Sequence, residues 1–130
     1  MLQLKGVSHV GARVSDRERA IAFYRKLGFE LVYTDPHEPV VVLRNQAGVE
    51  INLIVNAKQN DRASNVLMDI AEKHAGWTHV AWLVSSIEAT ALALSAAGIE
   101  ITEGPKRLGN GVSCFVRDPD RNVIELRQED

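Results

Sequence analysis

A second cysteine is missing. Cys114 stands alone among 130 residues, so no internal disulfide can form, and a cytoplasmic protein is the default expectation. Also missing is any apolar run long enough to span a bilayer. The opening stretch, Met1-Leu2-Gln3-Leu4-Lys5-Gly6, lacks the plan of a signal peptide. Neither sign of charge dominates: 15 Lys and Arg against 17 Asp and Glu leave a formal net charge of −2. That removes the electrostatic reason to expect nucleic acid or an anionic membrane as partner, and leaves a small molecule. What is present is ordinary for a globular protein, 45% apolar and 25% charged residues, at a length that supports one core. Cys114 lies in an expected strand and reads as a small buried hydrophobe.

Taken in order, Leu4 to Val14 alternates as a strand, with His9, Gly11 and Arg13 on one side. Ser15 or Asp16 caps a helix, and Glu18 at the third position past Ser15 completes a capping box. The apolar face Ala20, Ile21, Phe23, Tyr24, Leu27 carries this helix to Gly28, which stops it. Strands follow at Phe29 to Thr34, Val40 to Arg44 and Val49 to Val55, the last two joined by the turn Asn45-Gln46-Ala47-Gly48. The spacing of Ala63, Val66, Leu67, Ile70 and Ala71 predicts a connecting helix from Asp61 to His74.

The second half repeats the first. At an offset of 70, His9-Val10-Gly11-Ala12-Arg13-Val14-Ser15 falls on His79-Val80-Ala81-Trp82-Leu83-Val84-Ser85, and Gly28-Phe29-Glu30-Leu31 falls on Gly98-Ile99-Glu100-Ile101. At 73, Ile51-Asn52-Leu53 falls on Ile124-Glu125-Leu126. That final strand follows the turn Asp118-Pro119-Asp120-Arg121-Asn122, in which Pro119 sets φ and the Asp and Asn side chains bond their own backbone. The expected fold class is therefore α+β: two paired βαβββ modules forming a curved mixed sheet around a concave metal site. The expected layout is one domain, 1–130, with module one at 1–56, a linker helix at 57–76 and module two at 77–130. Pairing two modules buries more surface and protects open strand edges.

The repeat gives His9 and His79 equivalent places, and likewise Asn52 and Glu125. Glu125 lies between Ile124 and Leu126 and on the face opposite to both. A lone histidine on a strand is usually a hydrogen-bonded or surface residue; two at equivalent positions, with an isolated strand glutamate, form a pattern. Two imidazoles and a carboxylate suit a divalent metal: zinc, nickel, cobalt, manganese or iron(II). The fourth ligand is either Asn52, through its amide oxygen, or Glu50, which shares its face. His37 and His74 read as solvated or helix-terminal. Trp77 and Trp82 read as core or pocket wall.

The chain resembles the vicinal oxygen chelate superfamily: glyoxalase I, fosfomycin-resistance thiol transferases, methylmalonyl-CoA epimerase, extradiol dioxygenases and bleomycin-binding proteins. The residues carrying the resemblance are Ser8-His9-Val10, Ala22 through Glu30, Thr78-His79-Val80-Ala81, Ala97-Gly98-Ile99, Glu103-Gly104-Pro105, and Asp118-Pro119-Asp120 through Ile124-Glu125-Leu126. It implies metal ligands at His9, His79 and Glu125, and a glyoxalase I-like lyase or isomerase acting on a substrate chelated through vicinal oxygens. It further implies a homodimer, and Arg13 holding a carboxylate of glutathione as co-substrate. Glu125 and Glu50 are then the candidate bases, and Trp82 a candidate substrate contact. The departure is Asn52, where glyoxalase I-like members have Glu. A neutral ligand there resembles a two-His-one-carboxylate site, as in a dioxygenase or thiol transferase. The third expectation is a metal-free binding protein of the bleomycin type.

Overall fold

Two runs of alternating residues organise the first half. In β3 (Val40–Arg44) and β4 (Glu50–Ile54), Val41, Leu43, Ile51 and Leu53 are buried, while Val40, Val42, Glu50 and Asn52 on the other face are half-buried. A computed structural model describes residues 1–59 and 64–130, and divides the chain into two compact units, Met1–Asn60 and Asp61–Asp130. In the first unit, β1 (Val10–Arg13), α1 (Arg17–Lys26) and β2 (Glu30–Thr34) precede β3 and β4. The sheet order is β1-β4-β3-β2, with β1 parallel to β4 and the other pairs antiparallel. Ala20, Ile21 and Tyr24 of α1 are buried in the same core, and Tyr24 meets Phe29 edge-on with ring centroids 6.2 Å apart. Each such buried aliphatic side chain contributes about 1.5–3 kcal/mol.

The second unit has the same connectivity. Its elements are β5 (Val80–Leu83), α2 (Ile87–Ala96), β6 (Glu103–Leu108), β7 (Gly111–Arg117) and β8 (Val123–Glu129), in sheet order β5-β8-β7-β6. Gly11 stands in register with Asn52, and Ala81 with Glu125, so the repeat seen in the sequence holds residue by residue. The change of offset also has a place. Both helices end on a positive-φ glycine, Gly28 at 95° and Gly98 at 72°. The strand after Gly98 then begins at Glu103, so the second module carries a non-strand insertion, Glu100-Ile101-Thr102, where the first enters β2 at Glu30.

Of the two cap candidates, Asp16 holds the helix start: its Oδ1 accepts from Arg19 N at 2.9 Å. Two local expectations are corrected. The first strand covers only Val10–Arg13, because its ladder on β4 begins with Val10 opposite Ile51 and residues 1–9 have no strand partner. The linker helix is absent from residues 64–76, which form turns and bends; Asp61 to Ala63 lie outside the described residues. Its apolar spacing is overruled by Asn65, whose Oδ1 accepts from Leu67 N at 2.9 Å and Met68 N at 3.1 Å and closes a local turn instead.

The expected single curved sheet is corrected too. The modules form separate four-stranded sheets, because the first strand of each pairs with the last strand of its own module and the ladders run only within a module. No helix among the described residues is long and apolar enough to cross a membrane.

Candidate functional site

Glu125 is the centre of a hydrogen-bonded line across the second sheet. It sits in mid-β8, opposite Phe115 of β7 and beside Ala81 of β5. Its side chain is only 9% exposed. A carboxylate that far from water needs partners. Ser113 donates its hydroxyl to Glu125 Oε2 at 2.6 Å, and His79 Nε2 meets Oε1 at 2.9 Å. The far side of the imidazole is held as well, since Thr78 Oγ1 lies 2.8 Å from His79 Nδ1. Phe115 packs edge-on against the His79 ring, with centroids 5.7 Å apart. When the carboxylate is ionised, Nε2 carries the proton and the Thr78 hydroxyl donates to Nδ1. A threonine hydroxyl can also accept, so the same pair supports the other tautomer when Nε2 is needed as a donor atom to a ligand.

The first unit offers equivalent positions with different chemistry. His9 stands just before β1, exposed, with Ser8 Oγ 3.0 Å from its Nδ1. A hydroxyl residue thus precedes each histidine and engages the same ring nitrogen. Asn52 Oδ1 is buried and has no hydrogen-bond partner among the described residues. Glu50 shares the face of Asn52, but its carboxylate is taken by Arg44, which donates to Oε1 at 2.7 Å from the directly opposite position on β3. β4 runs against both neighbours without a register shift, so nothing turns Glu50 away from that partner. Arg13 lies on the Asn52 face and donates through Nε to Asn56 Oδ1 at 3.2 Å. Trp82 stands in register with Leu126, on the face opposite Glu125, and is not brought to that carboxylate. Trp77 is exposed.

Among the described residues, no group of three or more His, Cys, Asp or Glu side chains is placed to hold a metal ion. The concave metal site expected from the repeat is therefore corrected. The physical reason lies in the partners just described: His79 and Glu125 satisfy one another, Glu50 is neutralised by Arg44, and Asn52 adds no charge. Tested against a divalent ion, the donors fit in kind. An imidazole nitrogen just before β5 and a carboxylate oxygen on the neighbouring β8 lie 2.9 Å apart. In number, the second unit supplies two of the three or four that such an ion takes from protein.

Ser113, Phe115 and Arg127 are the residues that the sequence reading passed over. The signal was available: alternation puts Ser113 and Phe115 of β7, and Arg127 two residues along β8, on the face of Glu125.

A two-module βαβββ fold with a buried, hydroxyl-supported carboxylate at a mid-strand position defines a class of small-molecule-handling proteins. The chain belongs to the Glyoxalase/Bleomycin resistance protein/Dioxygenase superfamily, whose family model matches residues 6–126. It is 32% identical over 123 residues to a lactoylglutathione lyase of Haemophilus influenzae, covering 92% of this chain and 90% of the relative. Among solved structures, a virulence protein of Salmonella typhimurium superimposes with a TM-score of 0.71 at 27% identity, over 99% of this chain and 100% of that one. A genomically encoded fosfomycin resistance protein of Listeria monocytogenes gives 0.74 at 20% identity, over 98% and 94%, a likeness of fold alone.

Proposed function

We propose that the chain is a lyase or isomerase resembling glyoxalase I, which moves a proton on a small substrate carrying two vicinal oxygens. The observation that carries this reading is Glu125: a buried carboxylate with one oxygen fixed by Ser113 and the other directed at His79. Such a group is positioned to take a proton from the carbon beside a carbonyl and return it to the neighbouring carbon. The residues that would hold a divalent ion are His79 and Glu125. Bound there, the ion would supply Lewis-acid polarisation of the two oxygens. Arg13 is the proposed anchor for a substrate carboxylate. The Haemophilus influenzae relative is named for lactoylglutathione, which makes glutathione hemithioacetals the first substrates to test. The test is turnover of these by the wild type and by Glu125→Gln, with nickel, cobalt, zinc, manganese and iron(II) supplied in turn. The expected loss is about 100-fold or more in kcat. Equal turnover by both would sink the proposal.

A second reading is favoured by one observation. With Glu50 ion-paired to Arg44 and Asn52 neutral, Glu125 is the carboxylate that faces an imidazole, which suits a one-carboxylate site as in a dioxygenase or thiol transferase. Iron(II)-dependent oxygen uptake with catechols, undiminished in Glu50→Gln, would favour it over the lyase.

A further inference from the structure

The two modules match residue by residue, and that makes one difference between them informative. In the first sheet the pair flanking Asn52 is Val40 opposite Ile54. In the second, the equivalent pair flanking Glu125 is Ser113 opposite Arg127. An apolar cross-strand pair has been replaced by a hydroxyl and a guanidinium beside the position where the carboxylate of Glu125 replaces the amide of Asn52. In the first module the Asn52 oxygen has no hydrogen-bond partner among the described residues.

The pair is connected. Arg127 donates from Nη1 to Ser113 Oγ at 3.2 Å, and the same nitrogen lies 3.7 Å from Glu125 Oε2. Ser113 has one hydroxyl proton, and it goes to Glu125 Oε2. Accepting from Arg127 therefore commits Ser113 to donate towards the carboxylate. Arg127 is itself held on its other side by Asn110, which accepts from Nη2 at 2.7 Å. Room for the guanidinium comes from Gly111: a Cβ there would lie 3.0 Å from both Cζ and Nη2 of Arg127. Ser113 is fully buried and Arg127 only 16% exposed at its side chain. Burying a serine and an arginine in a sheet is costly without such bonds, so sheet stability alone does not account for them.

We infer that Ser113 and Arg127 are positioning residues for Glu125: they saturate Oε2 and leave Oε1 as the oxygen through which the carboxylate acts on His79 or on whatever replaces it there. The inference takes from the proposed function only that Glu125 is the working carboxylate.

The test reads the His79 imidazole directly, without metal or substrate. Long-range proton–nitrogen correlation spectra of the ring, at one fixed pH, are recorded for wild type, Ser113→Ala, Ser113→Thr and Glu125→Ala. In Ser113→Ala the His79 Nε2 resonance is expected to move towards its position in Glu125→Ala, with Ser113→Thr restoring the wild-type position because the hydroxyl is kept. Arg127→Met reads the same resonance where Ser113→Ala does not fold. A Ser113→Ala spectrum identical to wild type, while Glu125→Ala shifts, would overturn the inference. So would a resonance indifferent to Glu125→Ala, since the bond being positioned would then not exist. Cobalt(II) titration separates this from the functional reading. If wild type binds cobalt(II), Ser113→Ala is expected to weaken it about 10–100-fold and to alter the d–d absorption bands. If wild type binds none while the His79 response to Ser113→Ala persists, the metal reading falls and the positioning role stands.

Discussion

Arg117 does for the second unit's frame what Arg127 does for Glu125. Its side chain is 2% exposed and donates to Asp69 Oδ1 and Glu103 Oε1, each at 2.8 Å, and to Thr102 Oγ1 at 2.8 Å. Burial opposes its charge, yet Asp69 and Glu103 together hold it protonated above the usual range. Removing it strands two carboxylates, so Arg117→Met is expected to lower stability by about 3 kcal/mol, read by urea unfolding. The same contact gives a pH dependence. The hydrogen bond from Arg117 holds the Asp69 carboxyl below its ordinary value of 3.8, against the opposing effect of burial. A carboxyl depressed on folding binds its proton more readily in the unfolded chain. Its contribution is therefore present above the unfolded value and lost as pH falls through the folded one. Acid unfolding of wild type should steepen below about pH 4, the ordinary carboxylate range, and Arg117→Met should remove that part of the slope. None of this was legible beforehand: Asp69 lay in an expected linker helix, and only folding brings its carboxylate to Arg117.

Elements were mostly legible, and where they were not, a competing local bond explains the failure. Both helices, the four-residue turn at Asn45, and the turn at Asp118 form as the residue types require. In the latter, Asp118 Oδ1 accepts from Asp120 N and Asn122 N, both at 2.9 Å, which sets up β8 and so the place of Glu125. The first helix start was narrowed to Ser15 or Asp16, and Asp16 takes it. Asp16 and Ser86 hold equivalent caps, with Ser86 Oγ accepting from Ala89 N at 3.1 Å. Asp16→Ala is expected to cost about 1 kcal/mol, read as a fall in thermal midpoint.

The molecule taken entire exposes more apolar side chain than its own folding requires. Leu2, Leu4 and Val7 before β1, and Trp77 and Leu83 around β5, are each at least 70% exposed. We propose that these residues serve association with a second copy. A homodimer is the expected state, so light scattering should return twice the 14.3 kDa chain mass, and Leu83→Lys should shift the population towards monomer. The repeat, the helix stops, the turns and the equivalence of Asn52 with Glu125 were all readable from the chain. They depend on residue type and spacing over short stretches, where φ preference and alternation act directly. Which carboxylate faces an imidazole was not readable. Glu50 and Glu125 look alike on their strands, and only cross-strand register puts Arg44 opposite one and a serine–arginine pair beside the other. Partners distant in sequence settle what a buried charge can do, because desolvation makes its energy depend on whichever groups folding sets within hydrogen-bond reach.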